Sequence, residues 1–411
     1  MIASAAIPLD DPQFWIVTAT VLAVAGLAAR RLVRSLRQES ETPCANCPKA
    51  HPAVARSQPS SPTQPRRLPI VALLAALAPA ALEAAAVERQ VAVMGTTLRV
   101  EVEAAERGAA LAAAETIVRE IEATERRLST WRDDSELAGL NRAPVGAWIE
   151  LSPATFAALR RAWSCVELGG GAFDPTVAPL VRAWGLRTGG RVPSVEERRQ
   201  ALAEVGGSRL ELDAGRSRAR KLAPVTIEEG AFGKGAALDA ALDAIAATPA
   251  AGRLRATQVD LGGQVAWANA ARPVRIDLSD PRRRTRAVLE LSLDAARASL
   301  STSGNSERNG SAAGTPIGHL LDPRTGEPAA DFGSVSVVAA TALDADCLST
   351  ALFVMGPEAG ARWLAGSGRA IEAVYLVVEG ERLRARVTPG LAASVRPLVE
   401  GIEVEVLGSS S

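Results

Sequence analysis

The chain has 411 residues, 47% of them hydrophobic, and its 46 Lys and Arg balance 46 Asp and Glu. That length suggests two or three units, and a neutral chain lacks the bulk positive field of a nucleic-acid-binding protein. Two histidines, His51 and His319, and four cysteines leave almost no room for a multi-histidine metal site or a disulfide framework.

The N-terminal region is membrane-like. Phe14–Ala29 is an apolar run, preceded by Asp10 and Asp11 and followed by Arg30, Arg31, Arg34 and Arg37. At about 16 residues it is slightly short for a bilayer, and snorkelling flanks would extend it. The basic flank directs the N-terminus outward. Residues 1–37 therefore read as a membrane segment. Residues 38–67 read as a Pro/Ser-rich linker carrying Cys44 and Cys47, either a thiol or metal pair or an inert one. Arg66 and Arg67 lead a second apolar run, residues 68–87, either a second transmembrane helix or a signal-like segment with Ala84-Ala85-Ala86 as its small-residue end. Either arrangement delivers the remainder outside the cytoplasm. The competing reading of both runs is a buried helix. Residues 88–406 form the body and 407–411 a tail.

Within the body, Leu98, Val100 and Val102 alternate with charged residues, which predicts a half-exposed strand over Val93–Val102. Apolar spacing predicts helices over Ala109–Leu128, Pro153–Leu168, Glu196–Glu204, Lys234–Ala246, Leu343–Val354 and Glu358–Leu364. Ser129–Pro144 reads as a polar loop. Short strands are predicted within Arg209–Ile227, then over Gln258–Leu261, Val274–Leu278, Val288–Leu293 and Ser334–Ala339, with Ile371–Val378 last. Strands joined by short turns outnumber strand–helix–strand units. The fold class is therefore α+β, a mixed and largely antiparallel sheet with packed helices, preceded by one or two N-terminal transmembrane helices.

Three features carry chemistry. Gly-rich turns at Gly169-Gly170-Gly171, Gly230–Gly235 and Gly262-Gly263 let backbone N–H groups approach a ligand. The second of them opens a helix and sets Lys234 at its start, which suits a pyrophosphate, although it has neither P-loop nor dinucleotide-fold spacing. Each run alone is equally an ordinary turn. Asp346 and Thr350, four apart on a helix, share a face and offer two hard oxygens for Mg²⁺ or Ca²⁺, or else a cap and a packing residue. His319 stands on a short strand before the tight turn Asp322-Pro323-Arg324-Thr325-Gly326 and is either structural or a general base.

Taken in order, these blocks resemble the FAD:protein FMN transferases, the ApbE family. The matching residues begin at Met94-Gly95-Thr96 and run through Leu128-Ser129-Thr130-Trp131 and Gly171-Ala172-Phe173-Asp174-Pro175-Thr176. They continue with Gly233-Lys234-Gly235 to Asp239, Gly262-Gly263, Asp280-Pro281, Ser301-Thr302-Ser303-Gly304, His319 to Pro328, and Asp346 to Gly356. The set spans most of the body. Trp131 stands where a tyrosine is more usual, Glu229 where an apolar residue is, and Gln264 and Asn305 also depart from the pattern.

The resemblance implies transfer of FMN from FAD, the substrate, to a Thr or Ser hydroxyl of an acceptor protein, with release of AMP. It implies flavin contacts at Met94, Trp131, Ala172, Phe173, Asp174, Glu228, Lys234 and His319, with Trp131 and Phe173 walling or stacking on the ring system. It implies metal ligation by Asp346, Thr350 and the carbonyl of Ala231, with Mg²⁺ the expected ion and Ca²⁺ or Mn²⁺ the alternatives. His319, Lys234 and Asp346 become the expected catalytic residues. The expected partners are FAD, an acceptor carrying an Asp-x-x-x-Gly-Ala-Thr-like motif, and a membrane, with no nucleic acid. The expected location is the periplasmic side of an inner membrane, anchored by the N-terminal segment. Two alternatives remain: an FAD pyrophosphatase giving FMN and AMP, and a non-catalytic flavin-binding redox module.

Overall fold

The computed structural model describes residues 85–305, 310–312 and 315–408. The chain divides into Met1–Ala76 and Leu77–Ser411, and the described residues all belong to the second unit. The first apolar run and the Cys44/Cys47 pair lie outside the described residues, as does the second run up to residue 84. Among the described residues no helix is long and apolar enough to cross a membrane.

The first two strands, β1 (Ala85–Val93) and β2 (Thr96–Ala104), form a hairpin in which Ala85 pairs with Ala104 and Ala86 with Glu103. Residues 85–87, read as the end of the second apolar run, thus belong to strand β1. The single strand read over Val93–Val102 is broken because Met94 (φ 51°) and Gly95 (φ 67°) both take positive φ. That is the signature of a tight two-residue hairpin turn.

Helix α1 (Arg107–Leu128) packs its alanine and isoleucine face on this hairpin. Helix α2 (Glu136–Arg142) lies within the stretch read as a loop; Ser135 caps it by accepting the Ala138 N–H at 3.0 Å. Strand β3 (Ile149–Glu150) precedes α3 (Pro153–Leu168), whose bounds match the sequence expectation. Short α4 (Ala178–Ala183) gave no periodicity to read, and α5 (Val195–Ala203) starts with a Ser194/Glu197 capping box. Strands β4 (Leu210–Asp213) and β5 (Arg218–Lys221) join β3 in a small sheet.

The second half holds α6 (Gly233–Ala246), β6 (Leu254–Leu261), β7 (Gln264–Ala268), β8 (Val274–Asp280), β9 (Arg283–Leu293) and β10 (Ala298–Gly304). Then come β11 (Gly310–Ala312), β12 (Thr315–Ile317), β13 (Gly333–Ala339) and α7 (Ala342–Gly366). The chain finishes with β14 (Glu372–Glu379), β15 (Arg382–Val387), β16 (Val395–Pro397) and β17 (Glu403–Val406), so the strand read at Ile371–Val378 is not the last. The two helices expected at Leu343–Val354 and Glu358–Leu364 abut across Gly356, whose φ of 78° breaks the helical path just before Pro357.

Nine strands form one sheet in the order β1-β2-β6-β7-β10-β13-β14-β15-β17, antiparallel throughout except for the β15–β17 pair. The largely antiparallel α+β fold expected from the sequence is therefore present. Alternation divides its residues between two cores. Ala266 and Ala268 of β7 meet α1 and α6, while Val265 and Trp267 face a second sheet, β16-β9-β8. In β14, Ala373 and Tyr375 meet α7, and Val374 and Leu376 face the second sheet. Burial on both faces removes the polar half of the period-2 pattern, and β7, which is buried throughout, was missed for that reason. Strand β10 was missed because its alternate residues are serines, Ser299, Ser301 and Ser303, buried toward α7.

Candidate active site

The site is assembled where α6, α7, β8, β10 and β13 meet. Gly235 allows α6 and α7 to touch: a Cβ there would lie 2.5 Å from the Ala342 oxygen and 2.5 Å from the Leu343 Cα. Asp239 of α6 then accepts the first free N–H groups of α7, from Ala342 at 2.7 Å and Leu343 at 3.0 Å. A carboxylate suits a helix N-terminus by charge and by hydrogen bonding. Gln264 donates its Nε2 to the Ala342 oxygen at 2.7 Å. On the sheet side, Ser303 Oγ lies 2.9 Å from Ser349 Oγ and 3.4 Å from Thr350 Oγ1. Small hydroxylated side chains thus let the first turns of α7 sit close on β10.

This packing fixes Asp346, which is 5% exposed, with Oδ2 accepting the Gly235 N–H at 2.9 Å. Burial pushes its carboxyl above the ordinary range, and the positive charge of Lys234 and the Gly235 N–H oppose that shift. Thr350 follows one turn later and donates Oγ1–H to the Asp346 carbonyl at 3.3 Å. With Ser303 Oγ beside it as well, at least one lone pair of that oxygen remains for another partner.

A cleft of about 380 Å³ opens here and brings together Gly230, Lys234, His319, Asp346 and Thr350. His319 does not stand on a strand. Strand β12 ends at Ile317, and Gly318 is pressed against Asn305, where a Cβ would lie 2.8 Å from Nδ2. His319 sits on the bend that follows, ahead of the turn closed by the Gly326 N–H to the Asp322 oxygen at 2.8 Å. Ala231 adjoins the cleft-lining Gly230 in a single 3₁₀ turn.

The other expected flavin contacts lie outside this cleft's lining. Met94 occupies the strained hairpin turn, its N–H donating to Glu125 Oε1 at 3.0 Å. Trp131 is 70% exposed, with the Arg187 guanidinium 4.2 Å from its ring centre. Arg187 also pairs with Glu228 and donates to Thr130 Oγ1 at 2.8 Å. Burial pushes the Glu228 carboxyl up, and Arg187 opposes it. Thr130 in turn donates to Glu229, the residue that departs from the family pattern. Nothing in the sequence signalled Arg187, which reaches this cluster only through the fold.

Three expected contacts need correction. Phe173 is 1% exposed and packs in the core with Leu128, Phe232 and Cys347, so its ring is not available to stack on a ligand; Trp131 alone of the pair is. Ala172 is likewise fully buried. Asp174 spends both oxygens on structure: Oδ1 accepts from Thr176 N–H at 2.8 Å and Oγ1–H at 2.6 Å, and Oδ2 accepts the Gly207 N–H at 2.7 Å. It clamps two loops rather than presenting a free carboxylate.

Among the described residues no three His, Cys, Asp or Glu side chains cluster as a metal cage. One carboxylate, one hydroxyl and a backbone carbonyl are hard oxygens, and they fit a strongly hydrated cation that completes its shell with water and substrate oxygens. Zinc or a redox metal would want nitrogen or sulfur ligands.

The α+β fold thus sets a lysine beside a buried carboxylate in one cleft. The sequence profile of the ApbE family matches residues 94–375. The FAD:protein FMN transferase of Klebsiella pneumoniae (strain 342) is 30% identical over 311 residues, covering 72% of this chain and 85% of that protein. That of Treponema pallidum (strain Nichols) is 32% identical over 286 residues, covering 65% and 78%. Among solved structures, an ApbE protein of Thermotoga maritima superposes with a TM-score of 0.65 at 28% identity, over 71% of this chain and 94% of that one. The apo flavinyl transferase ApbE of Pseudomonas stutzeri gives 0.65 at 25% identity, over 76% and 97%. The chain belongs to the ApbE family.

Proposed function

We propose that this protein is a transferase that moves FMN from FAD onto a Thr or Ser hydroxyl of an acceptor protein, releasing AMP. The observation that carries the reading is the meeting of Lys234, His319, Asp346 and Thr350 in one cleft. In the reaction, the acceptor oxygen bonds to the FMN phosphorus and the bond from that phosphorus to the AMP oxygen breaks. AMP leaves as a phosphate monoester, and His319 takes the hydroxyl proton. Lys234 balances charge on the pyrophosphate. Asp346, Thr350 and the Ala231 carbonyl would hold Mg²⁺, which supplies further charge neutralisation when bound. Trp131 would cover the flavin, held upright by Arg187. Met94 and Glu228, outside the cleft's lining, would complete the flavin contacts. The N-terminal segment would anchor the enzyme in the membrane with its body on the periplasmic side, facing acceptors with an Asp-x-x-x-Gly-Ala-Thr-like motif.

The test mixes the protein with FAD, Mg²⁺ and an acceptor domain, following protein-bound flavin and AMP. Asp346→Ala should lose turnover and its dependence on metal. His319→Ala should slow transfer by roughly 10²–10⁴-fold, the usual worth of a general base, while FAD binding stays near the parent value. Free FMN with no protein-bound flavin would replace the transferase reading with a pyrophosphatase. An Asp346→Ala variant as active as its parent would remove that residue from the metal site.

A further inference from the structure

We infer that the acceptor protein docks on the β8–β9 hairpin, an extended segment of it pairing with the open edge of β8 while its acidic groups meet the arginines at the hairpin tip. The inference rests on the transfer reaction proposed above and names the surface that receives its second substrate.

Three observations carry it. First, residues 275–281 line the cleft in unbroken succession. Side chains of a strand alternate between faces, so a run with no gap means that the cleft is looking at the strand's edge. Second, that edge is open among the described residues. β8 pairs with β9 and ends its three-stranded sheet. Ile276 and Leu278 are anchored in the core beneath, so the edge is preformed. An open edge is a template for strand addition unless it is blunted or covered. This one faces the same cleft as Lys234 and Asp346.

Third, the hairpin tip concentrates positive charge in a chain of zero net charge. Arg282, Arg283, Arg284 and Arg286 are all exposed within five positions. Arg282 is tied to Asp280, with Nε 3.0 Å from Oδ1 and Nη2 2.9 Å from Oδ2. Arg284 lines the cleft itself. Arg283 and Arg286 stand outside the lining. The register slips between Leu278 and Asp280, so β9 bulges and spreads the arginines over the rim. Arg282 is already paired, so the attraction falls to Arg283 and Arg286: exposed cations at the tip steer a partner of opposite sign inward. Such a partner lands at the mouth through which the acceptor hydroxyl must enter. An anionic membrane would also attract arginines, but it would not use an edge that faces into the cleft.

The test uses the full chain, FAD, Mg²⁺ and a purified acceptor domain bearing an Asp-x-x-x-Gly-Ala-Thr segment. In the double variant Arg283→Glu/Arg286→Glu, KM for the acceptor should rise roughly tenfold with kcat nearly unchanged, and added salt should shrink the difference. FAD affinity, read by flavin fluorescence, should stay at the parent value and show that the fold is intact. Arg283→Gln/Arg286→Gln should fall between. With EDTA present to prevent turnover, amide exchange across residues 275–279 should slow on adding acceptor to the FAD-loaded protein. An unchanged acceptor KM, or exchange identical with and without acceptor, overturns the docking site and leaves the transferase reading standing. Loss of binding to phosphatidylglycerol vesicles with acceptor KM unchanged assigns the arginines to lipid and overturns the proposal. A parent protein that transfers no flavin overturns both.

Discussion

At the scale of single residues, burial separates side chains that the sequence presents as equals. Trp131 and Phe173 are both aromatics in a chain with few, yet one is exposed and the other is a core residue. Trp131→Ala should therefore change stability by less than about 0.5 kcal/mol. It should weaken FAD binding by about 0.5–1.5 kcal/mol, the worth of an aromatic stack. Fluorescence titration and a melting curve on one sample check both, and an unchanged FAD affinity would take Trp131 out of the flavin site. Asp239 shows the opposite case, a carboxylate that touches no substrate and still shapes the site. Burial pushes its carboxyl up, opposed by the Leu343 and Ala342 N–H groups. Because its folded pKa lies above the unfolded one, the cost of the buried charge is full above the folded pKa. That cost is relieved as pH falls through it toward the unfolded value of about 3.9. Asp239→Asn lacks this relief. The Tm of the parent relative to the variant should thus improve between pH 7 and about pH 4, as read by differential scanning fluorimetry.

At the scale of elements, the contact between α6 and α7 sets the site. Lys234 and Gly235 are neighbours with different tasks, one facing the cleft and one allowing two backbones to meet. In Gly235→Ala the added methyl strikes backbone atoms, which cannot rotate away as a side chain can. The variant should lose about 1–3 kcal/mol, the usual cost of overpacking, and should lose transfer activity with it because Asp346 accepts the Gly235 N–H. Denaturant melts alongside activity assays test this; a variant as stable as the parent would mean that the helices can separate at no cost. The tryptophans make a related point about loops. Trp163, Trp184, Trp267 and Trp363 each donate the indole N–H to a loop or helix-end carbonyl, at 2.7, 2.8, 2.8 and 3.0 Å. In a chain poor in aromatics, these few rings tie connecting segments to the layers they cross.

At the scale of the whole molecule, β1 is the first described element and an edge strand of the nine-stranded sheet. A chain beginning near residue 80 should keep the Tm and the kcat of the parent with a soluble acceptor, since it retains the whole of β1, Ala85–Val93. A chain beginning after Val93 should be destabilised, because β2 would lose its partner and expose a new edge. Thermal melts and transfer assays on both chains distinguish the role of the residues before 80 from that of β1.

Much of this was legible from the amino-acid sequence. Helices α1, α3 and α6 announce themselves through 3.6-residue spacing, and α3 through a Ser-Pro start as well. Lys234, Asp346, Thr350 and His319 were readable as candidates from their residue types and surroundings, because hard oxygens, a cation and one imidazole suit pyrophosphate chemistry whatever the fold. Local sequence could not reveal β7 or β10, since two-sided burial and buried serines erase the alternation that marks a strand. Nor could it separate Asp174, consumed by its Thr176 and Gly207 contacts, from Asp346, held beside Lys234. Arg187 meets Glu228 across 41 positions, and Asp346 meets Gly235 across 111. Spacing along the chain determined which chemistry was on offer. Packing between distant segments decided which groups reach the cleft, because burial and hydrogen-bond partners are properties of the folded neighbourhood and not of the residue.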